Sequence, residues 1–338
     1  MRKSTFLFAF LVLSFLVSCD KESPQGPEYL NPLTQSPTGF PSIPWPEDNA
    51  FSEARWKLGK KLFFDPVLSK NKDVSCSSCH HPNLGFSDSL STSPGTLQRP
   101  GTRNSPSLAN VAFQPYYLRE GSVPTLEMQV LVPIQEHNEF DHNIVDIADS
   151  LNQIALYVQM SQEAYNRTPD AFVITRALAC FQRTLVSGNS KYDLFLRGKK
   201  TLSESELRGK EIFFSSRSQC SSCHGGFNFT SYEIENNGLY LNYADIGRAR
   251  FTFLDSDIGK FKIPSLRNVE FTSPYMHDGS LQNLDEVIEH YSRGGKGHPN
   301  QSSKITALHF SEQEKADLIA FLKSLSDMHF LTNPAFRN

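Results

Sequence analysis

"NKDVSCSSCHHPNLGF" spans Asn71 to Phe86, and "SRSQCSSCHGGFNF" spans Ser216 to Phe229. The pentapeptide Cys-Ser-Ser-Cys-His therefore occurs twice, at Cys76–His80 and at Cys220–His224. Its lead-in is repeated as well. "LGKKLFFDPVLSKNKDVSCSSCH" (Leu58 to His80) parallels "LRGKEIFFSSRSQCSSCH" (Leu207 to His224), each with Gly-Lys, an apolar residue and two phenylalanines ahead of the cysteines. The second copy is shorter between glycine and first cysteine. Two related domains follow, over 50–187 and 188–338.

The chain has 338 residues, enough for roughly two domains of about 150 residues. With 38% hydrophobic and 20% charged residues and a net charge of −3, it reads as an ordinary globule. That balance excludes nucleic acid as the expected partner, because such binding needs a clustered basic surface. The 26 Phe and 11 Tyr give an aromatic-rich core, which suits a large flat cofactor without requiring one.

The start of the chain is read as export machinery. Arg2 and Lys3 precede an apolar run from Phe6 to Val17, long enough for a secretory signal and too short to span a membrane. The run ends in Leu16-Val17-Ser18-Cys19, which resembles a bacterial lipoprotein cleavage box, with residues 1–18 as signal peptide and Cys19 as the lipidated residue. Acyl chains there would anchor the protein to a membrane surface, placing it in the periplasm or outer cell envelope. Residues 19–49, with prolines from Pro24 to Pro46, read as an extended tether. Cys180, in "AFVITRALACF", is expected to be a buried free thiol.

Helical patterns dominate the body. "AFVITRALACFQRTLV" (Ala171 to Val186), "LQNLDEVIEHYSR" (Leu281 to Arg293) and "SEQEKADLIAFLKSL" (Ser311 to Leu325) carry apolar residues at helical spacing, the last with Ser311 and Glu314 as a capping box. No long alternating strand competes. The fold class is mostly α, with long loops.

Cys-x-x-Cys-His is the attachment motif of c-type haem. Two thiols add to the vinyl groups on one porphyrin edge, and the following histidine sits beneath the iron. A zinc site does not require a histidine directly after the second cysteine. A redox dithiol would sit in a βαβ context, which is missing. Cys76, Cys79, His80, Cys220, Cys223 and His224 are thus expected to hold two c-type haems.

The body from about residue 50 to 326 resembles the bacterial di-haem cytochrome c peroxidase and MauG family. The stretches that carry the resemblance are "LGKKLFFDPVLS", "GTRNSPSLANVAF", "LVPIQEHNEF", "CSSCHGG", "IPSLRNVEFTSPYMHDGSLQNLDEVIEHY" and "IAFLKSLS". The resemblance implies two cytochrome-c-like helical haem domains. Peroxide meets the N-terminal haem, the C-terminal haem relays electrons, and a calcium ion lies between them. It implies Glu139 as the group that moves a proton during O–O cleavage, with Gln129 beside it, Glu136 as fallback and Glu127 as a weaker one. It implies Asn104, Thr272 and Pro274 as calcium ligands.

Three positions depart from the family pattern. Where many relatives carry a second histidine on the peroxide side, this chain has Thr96, a poor iron ligand, and His81 is too close to His80 to reach over. The N-terminal haem is therefore expected to be open without prior reduction. Where peroxidases place a methionine on the second haem, this chain has Tyr291, on one helix face with Leu284, Val287 and Ile288. His290 points elsewhere, and Met276 and Met328 are remote alternatives. A phenolate lowers a haem potential that axial ligands tune over about 0.8 V. Finally, the usual tryptophan between the haems is replaced in Arg119-Glu120-Gly121, while Trp45 and Trp56 lie elsewhere, leaving Tyr116 or Tyr117 to bridge.

The expected function is hydrogen-peroxide reduction with electrons from a small donor protein, a cytochrome c or cupredoxin. The alternative within the family is oxidation of a partner protein's side chains. The alternative outside enzymes is a haem relay or sensor. Many relatives dimerise, so the resemblance also implies a homodimer.

Overall fold

The computed structural model describes residues 33–338. The signal segment and Cys19 lie outside the described residues. The first half holds α1 (Glu53–Phe64), α2 (Cys76–Cys79), α3 (Leu126–Gln129), α4 (Leu131–Gln135), α5 (Ile144–Asn152), α6 (Ala155–Tyr165) and α7 (Ala171–Arg183). The second holds α8 (Lys191–Leu196), α9 (Glu204–Phe214), α10 (Cys220–Cys223), α11 (Ala249–Thr252), α12 (Leu284–Arg293), α13 (Glu312–Lys323) and α14 (Met328–Thr332). The described strands are β1 (Ile234–Glu235) and β2 (Phe261–Lys262), paired antiparallel with Ile234 opposite Lys262. The fold is thus mostly helical, and no described helix is long and apolar enough to cross a membrane.

Helix ends fall where the capping residues put them. Asp170 accepts from the Val173 amide at 2.8 Å to open α7, and Asn283 accepts from Glu286 at 2.9 Å to open α12. Ser311 and Glu314 form the expected capping box on α13. Gly294 stops α12 at φ 82°.

The repeated Gly-Lys-x-x-Phe-Phe lead-in has one structural cause. In the first half α1 crosses α7 at Gly59, where an added Cβ would stand 1.9 Å from the Ala177 carbonyl oxygen. In the second half α9 crosses α13 at Gly209, where it would stand 1.9 Å from the Asp317 carbonyl oxygen. One turn further, Phe63 meets Phe181 at 5.1 Å and Phe213 meets Phe321 at 5.2 Å. Each helix pair is closed by backbone contact and then filled by aromatic rings, and each seeds its own core.

The halves are tied together. The connector after α7 is buried: Asp327 accepts from the Gly188 and Asn189 amides at 3.0 and 2.8 Å, and Asn110 Nδ2 donates to Ser187 O and Asn228 Oδ1. The C-terminal tail returns to the first core, where Phe330, Leu331 and Phe336 are buried and Phe330 packs on Phe86 at 5.7 Å.

The tether differs from expectation. From residue 33 onward it lies on the body. Phe40 packs on Phe113 and Phe227 at 5.9 and 4.7 Å, Arg267 stands over its ring, and Asn49 is fully buried. Prolines masked a few well-placed anchors that suffice to dock a short strap.

Gly59→Ala and Gly209→Ala should each force a helix pair apart and destabilise the protein by about 1–3 kcal/mol or more. Urea unfolding of the purified protein would show this as a lower midpoint; an unchanged midpoint for both would refute the close crossing.

Candidate functional site

Each Cys-x-x-Cys segment forms a single helical turn, which places residues three apart on one face. The four thiols are free. In the first site a capping box between Ser75 and Ser78 holds the turn, and the His80 amide closes it on Cys76 O at 3.0 Å. His80 Nδ1 then lies 2.7 Å from Phe86 O. In the second, the His224 amide reaches Cys220 O at 2.8 Å, and Nδ1 lies between Phe229 O and Pro264 O at 3.3 and 3.2 Å.

Phe86 and Phe229 are equivalent. Both adopt left-handed backbone, φ 58° and 51°, which turns their carbonyls toward the histidines while their rings stay buried. An Nδ1–H held by a carbonyl directs the Nε2 lone pair outward, the arrangement of a metal-ligating imidazole. Burial pushes the His80 pKa down and that of His224 to about 4, so both rings are neutral at pH 7. Such rings, each beside two free thiols, can hold a covalently attached haem and its iron.

The two sites differ in what lies beside them. Glu139 sits in the loop after α4, and its charge reaches both thiols of the first motif. Burial, with Cys79 and Glu139 adding to it, pushes Cys76 up to about 12. The Glu139 carboxyl makes no hydrogen bond among the described residues. Burial and neighbouring Glu136 push it up to about 7, although it remains solvent-accessible. Its backbone is clamped. The Thr96 amide donates to Glu139 O at 2.7 Å, and a Cβ on Gly95 would stand 2.0 Å from Asn138 O. Thr96 is fully buried, its hydroxyl taken by Asp73 and Asn71 at 2.7 Å each. The residue flagged for lacking an imidazole thus positions the loop of the candidate acid–base group.

The other carboxylates separate cleanly. Glu127 is locked to Arg183 at 2.5 and 2.9 Å and to Asn49 at 2.8 Å, and Arg183 holds its pKa down against the effect of burial. Glu136 is exposed. Gln129 ends α3, half-buried, its carboxamide without a hydrogen bond among the described residues.

Beside the second motif stands Tyr291, on α12. Burial, with the Cys223 and Cys220 charges adding, pushes its phenol up to about 12, against a hydrogen bond from Asn237. Asn237 organises this corner, a part that no motif or spacing signals. Its carbonyl accepts from His290 Nε2 at 3.0 Å, which turns that imidazole aside, and its amide donates to Met276 Sδ at 3.1 Å. Met276 is therefore closer to this corner than expected, whereas Met328 lies exposed on α14.

Tyr116 reaches from the first half to the second, as Phe113 does where it packs on Phe227 at 5.2 Å. The Tyr116 hydroxyl donates to Tyr232 O, and Lys262 stands over its ring at 5.9 Å. Tyr117 faces the other way, into a cluster with Val111, Leu126 and Ala179. Trp56 packs on Phe181 and Trp45 on Phe51. Arg119 reaches Asn104: Nε and Nη2 donate to its main-chain oxygen at 3.0 and 2.7 Å, and Nη2 to Oδ1 at 2.7 Å.

Comparison with known proteins agrees with this two-site arrangement. Residues 53–201 match the family model described as di-haem cytochrome c peroxidase, and residues 207–326 match that of cytochrome c. The chain is 34% identical over 288 residues to methylamine utilization protein MauG of Methylorubrum extorquens, covering 84% of this chain and 81% of that protein. It is 33% identical over 278 residues to cytochrome c551 peroxidase of Nitrosomonas europaea, covering 80% and 79%. A crystal structure of a MauG-like protein associated with microbial copper homeostasis superposes with a TM-score of 0.86 at 32% identity, covering 89% of this chain and 97% of that one. With its paired Cys-Ser-Ser-Cys-His turns and carbonyl-held histidines, the chain belongs to the di-haem cytochrome c peroxidase and MauG family.

Proposed function

We propose that this protein is a peroxide-dependent di-haem oxidoreductase, working outside the cytoplasm and tethered through Cys19. Peroxide is cleaved at the His80 side and electrons pass through the His224 side from a donor protein. The observation that carries this reading is the asymmetry of two otherwise matched sites: a carboxyl of raised pKa without a hydrogen bond among the described residues beside one, a half-buried phenol of raised pKa beside the other.

The residues fit two haems. Cys76 and Cys79, with His80, would hold one, and Cys220 and Cys223, with His224, the other. Once bound, the haems supply the iron that accepts and passes electrons. The protein supplies proton handling and orientation. Glu139 takes the proton from one peroxide oxygen and returns it to the other, which departs as water; the oxygen left behind leaves as a second water once two electrons from the donor protein and two protons have been supplied. The Thr96 amide and the Gly95 contact hold the loop that presents this carboxyl, and Gln129 offers a free carboxamide to orient the substrate. Tyr291 would help hold the haem on the His224 side. Tyr116 is the proposed aromatic step between the halves.

Two features favour oxidation of a partner protein as the second reading. Tyr291 stands where a methionine would raise the potential, and Thr96 leaves the His80 side without a second imidazole. The calcium implied by family resemblance fits less well, because both Asn104 oxygens already receive hydrogen bonds from Arg119.

Adding one equivalent of hydrogen peroxide to the fully ferric protein should change the Soret band within seconds. A band that moves only after an electron is supplied would show that the His80 side is blocked. A base with a pKa near 7 gains its active, ionised form as pH rises. The second-order rate with peroxide should therefore climb through pH 7 and level off. Glu139→Gln should flatten that profile and slow the rate by about 10²–10⁴-fold; stopped-flow traces superposing on wild type would remove Glu139 from the chemistry. Tyr291→Met should raise the midpoint potential of one haem in spectroelectrochemical titration, whereas unmoved potentials would exclude Tyr291 as ligand.

A further inference from the structure

Arg119 occupies a position for which the two-haem reading offers no use. Its main-chain carbonyl accepts from the Lys262 amide at 2.6 Å, which ties this first-half residue to β2 of the second half. Its side chain runs to Asn104, which is itself held on three sides. The Asn104 amide donates to His277 O at 2.9 Å, and Nδ2 donates to Leu90 O at 3.0 Å. With Nδ2 committed to a carbonyl, Oδ1 must be the atom that faces the guanidinium. Asn104 is 4% exposed, so neither oxygen has water in plenty as an alternative.

A calcium ion would need these oxygens. It takes about six to eight oxygen ligands at roughly 2.3–2.6 Å. Here an Asn104 oxygen would have to serve both a dication and a guanidinium nitrogen already 2.7 Å away. The surrounding charge is already settled. Arg103 grips Asp245 at 2.5 and 3.0 Å and also pairs with Glu120. The charges acting on Arg119 come from Arg103, Asp278, Asp245 and Glu120, and Lys262 lies near enough to feel Arg119. Two arginines, with Lys262, whose pKa burial pushes down to about 7, thus face three carboxylates.

We infer that the Arg119 guanidinium takes the place of an interdomain calcium ion. It holds the Asn104 oxygens from within the chain, so the two haem sites are assembled without a divalent cation. The planar fork of arginine suits this role, because it offers several donors in fixed directions and stays charged at every physiological pH. The same substitution explains why no aromatic residue stands at this position. An indole could not bind the two oxygens of Asn104, and a metal would then be needed to do so.

This inference rests on the two-haem reading only for its location, and its test does not depend on peroxide activity. The haem-loaded protein is equilibrated with calcium, freed of unbound ion by gel filtration and analysed by inductively coupled plasma mass spectrometry. Its absorption spectrum is compared before and after EGTA. Wild type should carry far less than one calcium per chain, with no spectral response to EGTA. Arg119→Ala should gain about one calcium, and the further change Asn104→Ala should remove it. Stoichiometric calcium in wild type, or a spectrum altered by EGTA, would overturn the inference. So would an Arg119→Ala protein that carries both haems yet binds no calcium. Should Arg119→Ala fail to fold, the wild-type calcium content decides.

Discussion

Two peptide carbonyls set the geometry of both sites. Phe86 and Phe229 each adopt a left-handed backbone that a bulky L-residue avoids, at a cost of about 1–3 kcal/mol. Burying a phenyl ring returns a similar amount, about 1.5–3 kcal/mol. Phe86 packs on Phe63 at 5.9 Å and Phe229 on Phe213 at 6.0 Å, so each ring is anchored to the helix crossing of its own half. The ring belongs to the core and the carbonyl belongs to the histidine. Core packing and imidazole orientation are consequently one constraint, and repacking the crossing would tilt the ligand.

Some of this was legible in the sequence. The Cys-Ser-Ser-Cys-His turns and α7, α12 and α13 could be read from local spacing and capping residues, because each is decided within a few positions. The glycine and phenylalanine repeat was visible, but its meaning was not. Gly59 and Gly209 matter because of a carbonyl more than 100 residues away in each half. Thr96 was noticed for the side chain it lacks, whereas its structural part is played by its amide. Asn237, the Phe86 and Phe229 carbonyls and the Arg119–Asn104 contact were invisible for a common reason. They belong to irregular loops, whose partners are fixed by tertiary packing rather than by periodicity.

The halves share a scaffold but not an electrostatic setting. Glu127 and Glu139 show how far environment separates identical side chains. One is paired with Arg183 and held down; the other has no hydrogen-bond partner among the described residues and is pushed up. Only the second can exchange a proton near neutral pH. Beside the second motif stands a phenol instead, pushed up to about 12 by burial and so protonated near neutral pH. Duplication supplied the frame, and divergence of the flanking loops supplied the division of labour.

The segment around Phe330 to Phe336 makes the first site depend on residues distant in sequence. Phe330 and Phe336 both pack on Phe86, the residue whose carbonyl orients His80. A segment far downstream in sequence therefore completes the pocket around the first motif. The second site has its core contributed from within its own half. The upstream pocket is thus closed only when the 330–336 segment is docked, whereas the downstream pocket is complete without it. Loosening that segment would open the surroundings of His80 and leave those of His224 covered.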